Sequence, residues 1–259
     1  IDERFAKMKA DGRKALITFL TVGDPNMEVS EKAIYTMQEE GVDLIELGVP
    51  FSDPAADGPV IQRADERALA QGVDIFKVFE LVRKIRNNVE VPMVFLLYYN
   101  VMVQYGIEKF FKRCQETGVD GLIIPDLPYE ESDEIKEYTE KYGVYQISLV
   151  SPTSKDRIKN IAKDAKGFLY CISSLGVTGE KSSFVTNFDE FVGTIKKYTD
   201  VPACVGFGVS NGRQVKELTK YFDGAIVGSA IVKSIATGES VEERINNLRE
   251  KIKDLKSGL

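Results

Sequence analysis

Histidine is absent from the 259 residues, and its absence removes more chemistry than any other feature of the chain. Without imidazole there is no Ser-His-Asp or Cys-His nucleophilic system and no His-rich transition-metal site. Proton transfer must then fall to carboxylates, Tyr, Cys or Lys. Tryptophan is absent as well, which by chance alone is uncommon but not rare. Cysteine is scarce: Cys114, Cys171 and Cys204 are odd in number and far apart. That argues against a disulfide framework or a zinc cluster and fits a reducing, cytoplasmic setting. No basic stripe exists, since the net charge is −6 with both signs interleaved, so nucleic acid is not an expected partner. Long apolar runs are also missing; every run is strand-sized, far below the ~20 residues that cross a membrane. No secretory leader opens the chain, and the leading Ile1 points to an incomplete N-terminus. What remains, 43% hydrophobic and 29% charged, is ordinary for a globular protein with a substantial core.

Eight short apolar runs recur: Ala15–Thr21, Val42–Gly48, Pro92–Tyr98, Val119–Ile124, Val144–Leu149, Gly167–Ser173, Val201–Gly206 and Asp223–Gly228. Each is continuous rather than alternating, as strands buried on both faces of a parallel sheet must be. Amphipathic stretches lie between them, among them Ile75–Ile85, Ile107–Cys114 and Val215–Tyr221. A weak echo repeats: Gly41-Val-Asp-Leu-Ile, Gly118-Val-Asp-Gly-Leu-Ile and Phe222-Asp-Gly-Ala-Ile each place a helix end, a turn and a new strand in that order. Gly41 and Gly118 suit helix ends that need a left-handed residue. Eight strands alternating with helices, without a linker, predict one (β/α)8 TIM barrel over 1–259. A doubly wound open sheet is the rival. It leaves the strand count unexplained, and no G-x-G-x-x-G follows the first strand.

A barrel of this kind carries its chemistry at the carboxyl ends of the strands, with phosphate often bound after the last two. The seventh run ends in Gly206-Phe-Gly208-Val-Ser210 and the eighth in Gly228-Ser229-Ala-Ile-Val-Lys233. Such glycines let backbone N–H groups approach an anion, and Ser229 can open a short helix with a positive N-terminal end. As plain tight turns, either loop alone would say little; the pair points to a phosphate. Glu46 stands near the end of the second run. An outward Glu would lie under a covering helix, so an inward, ligand-facing carboxyl is the better expectation, with a pKa raised by desolvation. Asp53 and Asp57 follow in a loop stiffened by Pro50, Pro54 and Pro59. The segment 173–184, rich in Gly, Ser and Thr, reads as a lid or as a solvated connector. Tyr170 reads as core or as a ligand contact.

The motifs ELGVPFSDPAADGPVIQ (46–62), TVGDP (21–25), IIPDLPYEE (123–131), LGVTG (175–179), GFGVS (206–210) and GSAIVK (228–233) resemble, in order, the tryptophan synthase α subunit family. The resemblance implies a barrel enzyme that cleaves indole-3-glycerol phosphate to indole and glyceraldehyde 3-phosphate by a retro-aldol reaction. By motif, the catalytic carboxyls fall on Glu46 and Asp57. Phosphate would be held by backbone N–H groups at Gly179, Gly208, Gly228 and Ser229. Phe19, Leu96, Tyr170, Phe207 and Ile226 would line an indole pocket, and Thr178 would bond to Asp57. Pro50 and Asp53 would face a β subunit that carries pyridoxal phosphate and joins indole to serine in an α2β2 assembly. The α chain itself would need no cofactor and no metal. Two departures stand out: Ser174 replaces an Arg found in some members, and Ala55 replaces a familiar Leu.

Other readings stay open on sequence alone. A Schiff-base aldolase needs a barrel Lys, and no strand run contains one. A magnesium-dependent lyase would use Glu46 and Asp57 as ligands. A stand-alone lyase releasing free indole, or a non-catalytic scaffold for a β-type partner, would share these motifs.

Overall fold

The computed structural model describes residues 1–172, 187–206 and 208–259. Its strands are β1 (Ala15–Thr21), β2 (Leu44–Gly48), β3 (Met93–Leu96), β4 (Gly121–Ile123), β5 (Tyr145–Gln146), β6 (Ser148–Val150), β7 (Leu169–Ile172), β8 (Ala203–Gly206) and β9 (Gly224–Val227). They form one parallel sheet in the order β5-β4-β3-β2-β1-β9-β8-β7-β6. The two ends of that order are successive segments of the chain, so the sheet curls into a barrel.

Nine segments replace the eight runs because the fifth run is divided at Ile147. Its first half pairs with β4, through Gly121↔Tyr145 and Leu122↔Gln146, and its second half pairs with β7, through Ser148↔Leu169 to Val150↔Cys171. The two ladders are offset along this run, so neither spans all of it. Ile147 still donates its amide to Leu122 O at 2.8 Å, which keeps the backbone bonded across the break. β1 spans the whole of its run, while β3 and β8 begin only after Pro92 and Pro202, which cannot donate to a ladder. Ser173, at the end of the sixth run, lies outside the described residues.

The helix Ile75–Ile85 matches its expected span, while the stretch from Ile107 runs on to Thr117 and the stretch near Val215 forms Gly212–Leu218. Gly41 and Gly118 both have positive φ, 75° and 80°, as helix ends require. The repeated Asp in the sequence echo acquires a physical role at the amino end of the barrel. Asp43, Asp120 and Asp223 each accept a hydrogen bond from the amide of a neighbouring strand: Leu16 at 3.0 Å, Met93 at 2.8 Å and Ala203 at 2.9 Å. Each also donates its own amide to the carbonyl of that same residue. A closed two-bond ring of this kind pins the register between adjacent strands.

Side chains alternate across the barrel wall. Leu16, Leu20, Ile45, Leu47 and Phe95 pack outward beneath the helices, while Ile17, Leu44, Val94, Ile123, Ile147, Cys204 and Ile226 fill the interior. Phe5 and Met8 of the first helix join the interior cluster, and Phe5 lies 5.8 Å from the Phe168 ring. Among the described residues no helix is long and apolar enough to cross a membrane.

Candidate active site

Glu46 belongs to the interior face of β2, because Leu44 points into the barrel and side chains alternate along a strand. Ladder pairing sets it between Phe19 of β1 and Val94 of β3. It is 1% exposed, and its Oε1 has no hydrogen-bond partner among the described residues. A carboxylate left there without water or a donor is costly, so burial pushes its pKa up to about 8. The group therefore holds a proton near neutrality and releases it within reach of neutral pH.

Asp57 reaches the same rim from the loop after β2. Turns at Ala55 N to Asp53 O and Asp57 N to Pro54 O shape this loop, and Gly58 with Pro59 then opens the helix Pro59–Ala70. Tyr98, just past β3, donates its hydroxyl to Asp57 Oδ2 at 2.6 Å and accepts the Ala56 amide at 2.9 Å. Its ring stacks on Phe51 at 5.0 Å. Burial raises the pKa of Asp57, and the Tyr98 hydrogen bond opposes that rise. No motif in the sequence assigns Tyr98 to the site. The available signal was a tyrosine at the carboxyl end of a strand run, where barrel chemistry is concentrated.

Of the expected apolar lining, Phe19, Leu96, Tyr170 and Ile226 fall among the described residues. Phe19 packs with Leu96, and Leu96, Ile226 and Tyr170 share one interior cluster. Two glycines make room for aromatic rings: a Cβ on Gly48 would sit 2.5 Å from Phe19 Cζ, and one on Gly206 would sit 2.5 Å from the Tyr170 hydroxyl. The Tyr170 pKa is driven well upward, by burial first and then by the charges of Glu46 and Asp57, so both carboxyls act on this one hydroxyl. The position packs against the barrel interior.

Past β9, Gly228 leads directly into the helix Ser229–Ala236, the short helix expected at a phosphate loop. Gly208, past β8, has a φ of 47° that favours glycine. Thr178, Gly179, Phe207 and Ser174 lie outside the described residues. Asp53 is exposed, with the Ser52 hydroxyl donating to it at 2.5 Å, whereas Pro50 is buried beneath the loop. Among the described residues no group of acidic, Cys or His side chains is arranged to hold a metal ion.

A family model described as the tryptophan synthase alpha chain matches residues 5–259. The chain belongs to the tryptophan synthase alpha chain family. The alpha chain of Thermoanaerobacter sp. (strain X514) is 47% identical over 259 residues, covering 100% of this chain and 99% of that protein. The alpha chain of Methanocaldococcus jannaschii is 47% identical over 235 residues, 90% of this chain and 83% of that one. Among solved structures, Mycobacterium tuberculosis tryptophan synthase in space group F222 superposes with a TM-score of 0.90 at 35% identity, covering 99% and 96% of the two chains. The alpha subunit from Legionella pneumophila gives 0.84 at 33% identity, covering 98% and 97%. As a member of the family the chain is a carbon–carbon lyase of tryptophan biosynthesis. It works with a beta subunit that holds the pyridoxal phosphate and needs no cofactor of its own.

Tyr98→Phe tests the hydrogen bond at Asp57 directly. Loss of a bond to a charged group, about 1.5 kcal/mol or more, should lower turnover of indole-3-glycerol phosphate about tenfold. The Asp57 pKa should rise once its donor is gone, so the acid limb of the pH–rate profile should move to higher pH. An unmoved limb would show that the Tyr98 bond does not govern this carboxyl.

Proposed function

We propose that the chain cleaves indole-3-glycerol phosphate with Glu46 as proton carrier and Asp57 as the fixed negative charge. The observation that carries this reading is the unpartnered Oε1 of Glu46, buried on the interior face at the mouth of the barrel. A proton moves from Glu46 to C3 of the indole ring, and positive charge develops on the ring nitrogen beside Asp57. Glu46, now a carboxylate, takes the proton of the hydroxyl on the adjacent side-chain carbon. The carbon–carbon bond then breaks, its electron pair returns to the ring, and indole and an aldehyde separate. One carboxyl with a pKa near neutrality serves both transfers. The Tyr98 hydroxyl favours the ionised form of Asp57 and holds the loop in place.

Phe19, Leu96, Tyr170, Phe207 and Ile226 are assigned to the indole pocket. Gly179, Gly208, Gly228 and Ser229 are assigned to the phosphate, which the N-terminal end of the helix Ser229–Ala236 favours. Thr178 is assigned as a hydrogen-bond partner of Asp57. Pro50 and exposed Asp53 are assigned to the beta interface of an α2β2 assembly. The whole of 1–259 acts as one barrel domain. The setting is the cytoplasm, supported by three buried free thiols, Cys114, Cys171 and Cys204.

Indole release from indole-3-glycerol phosphate, with and without a beta subunit, tests this reading. Slow cleavage alone and marked acceleration with the partner are expected; no indole in either condition would end it. Asp53→Ala should leave basal cleavage mostly intact while blunting activation. Equal loss of both would show that Asp53 serves the chemistry rather than the partner.

A further inference from the structure

The buried face of the helix Pro59–Ala70 is formed by Ile61, Ala64, Asp65 and Ala68, and Asp65 is the charged residue among them. It is 4% exposed, in a position that an alanine or serine would fill at less cost in desolvation. The Thr21 hydroxyl, itself 1% exposed at the end of β1, donates to Asp65 Oδ1 at 3.4 Å. The helix that carries Asp65 opens two residues after Asp57, which Tyr98 holds. Asp65 thus joins the end of the first strand to the helix that follows the Asp57 loop.

We propose that Asp65 is a positioning residue: its buried carboxyl fastens the end of β1 to the helix Pro59–Ala70 and so determines where Asp57, two residues before that helix, is presented to the barrel mouth. This rests on the reading of Asp57 as the charge beside the ring nitrogen. The surrounding groups settle which state of the acid is compatible with that task. Asp24 and Asp57 both face it with negative charge, while Arg67, the nearby cation, spends its Nε and Nη2 on Asp24 at 2.6 and 2.8 Å. Tyr98 is committed to Asp57. With burial first and the Asp57 charge second, the Asp65 pKa is pushed up to about 8. At neutral pH the residue therefore holds a proton, accepts the Thr21 hydroxyl as a neutral acid, and leaves Asp57 as the negative group.

The test compares Asp65→Ala and Asp65→Asn with the unsubstituted chain, each assembled with a beta subunit, by indole release and by thermal melting between about pH 6 and pH 9. Asp65→Ala should lower kcat on the order of tenfold at neutral pH through misplacement of Asp57, with little change in KM. Asp65→Asn, neutral and of the same shape, should recover most of that loss. The unsubstituted chain must ionise a buried acid as pH rises through about 8, and the Asn variant need not. The melting temperature of Asp65→Asn should therefore gain on the unsubstituted chain with rising pH, Glu46 being common to both. If the Ala variant does not fold, this pH-dependent gain decides alone.

A wild-type kcat in Asp65→Ala would overturn the proposal. So would an Asn variant as damaged as the Ala variant, or a melting difference that is flat in pH. Asp57→Asn in the same assay separates the two readings. Severe loss there, with wild-type behaviour of Asp65→Ala, removes only the role of Asp65; normal turnover there removes both.

Discussion

Glu46→Gln is expected to lower indole release by about 10³–10⁴-fold, the upper part of the range for general acid–base catalysis, because the proposed mechanism assigns both proton transfers to this one carboxyl. The amide has nearly the same shape, so substrate binding should survive and the loss should fall on kcat, about 4–5.5 kcal/mol of barrier. Steady-state kinetics with and without the beta subunit reads this out. Near-normal turnover would remove Glu46 from the chemistry. The same substitution carries a stability signature of opposite sign. The folded-state pKa of about 8 stands above the ordinary 4.5, so between those values the folded chain binds a proton that the unfolded chain releases. Stability is therefore greatest on the acid side and declines as pH climbs to about 8, beyond which the folded barrel holds a buried carboxylate. Gln has no such penalty. Melting temperatures at about pH 5 and pH 9 should show the variant gaining on the unsubstituted chain at the higher pH, by an amount worth on the order of a few kcal/mol. An active site poorer in stability than its neutral replacement is what proton transfer at neutral pH demands.

Asp57→Asn should cost about 10²–10³ in turnover, the scale of losing one preorganised electrostatic group. The amide keeps the shape and still accepts the Tyr98 hydroxyl, while the charge opposite the ring nitrogen is gone. A loss confined to KM would show that Asp57 binds the substrate equally before and during bond cleavage, contrary to its assigned role. Single-turnover measurement with the beta subunit present separates the chemical step from product release and so checks this point.

The carboxyl ends of the strand runs were legible because burial on both faces of a parallel sheet leaves a continuous apolar signature within a few residues. Glu46 stood out since it interrupts such a run, and its inward direction followed from the cost of an unpaired charge on either face. Its raised pKa and unpartnered oxygen agree with that expectation. The helix at Ser229 and the left-handed glycines at 41 and 118 were legible for the same reason, being set by local backbone geometry.

Tyr98, Asp65 and the Asp24–Arg67 pair were not legible, although all lie in or beside stretches that drew notice. Tyr98 meets Asp57 across 41 residues, and Asp65 meets Thr21 across 44. No pattern of neighbours carries such a pairing; it arises only when successive βα units close side by side around the barrel. The division of the fifth run at Ile147 has the same origin, because the offset between its two ladders is a property of the closed sheet. The alternation of strands and helices, the absence of imidazole chemistry and the standing of Glu46 and Asp57 at the carboxyl end of one strand run are thus properties of the sequence by itself, written in composition and in short-range pattern. The partners that orient those carboxyls, and the low-dielectric pocket that shifts their protons towards neutral pH, come from tertiary closure alone, which joins residues distant in the chain and excludes water from between them.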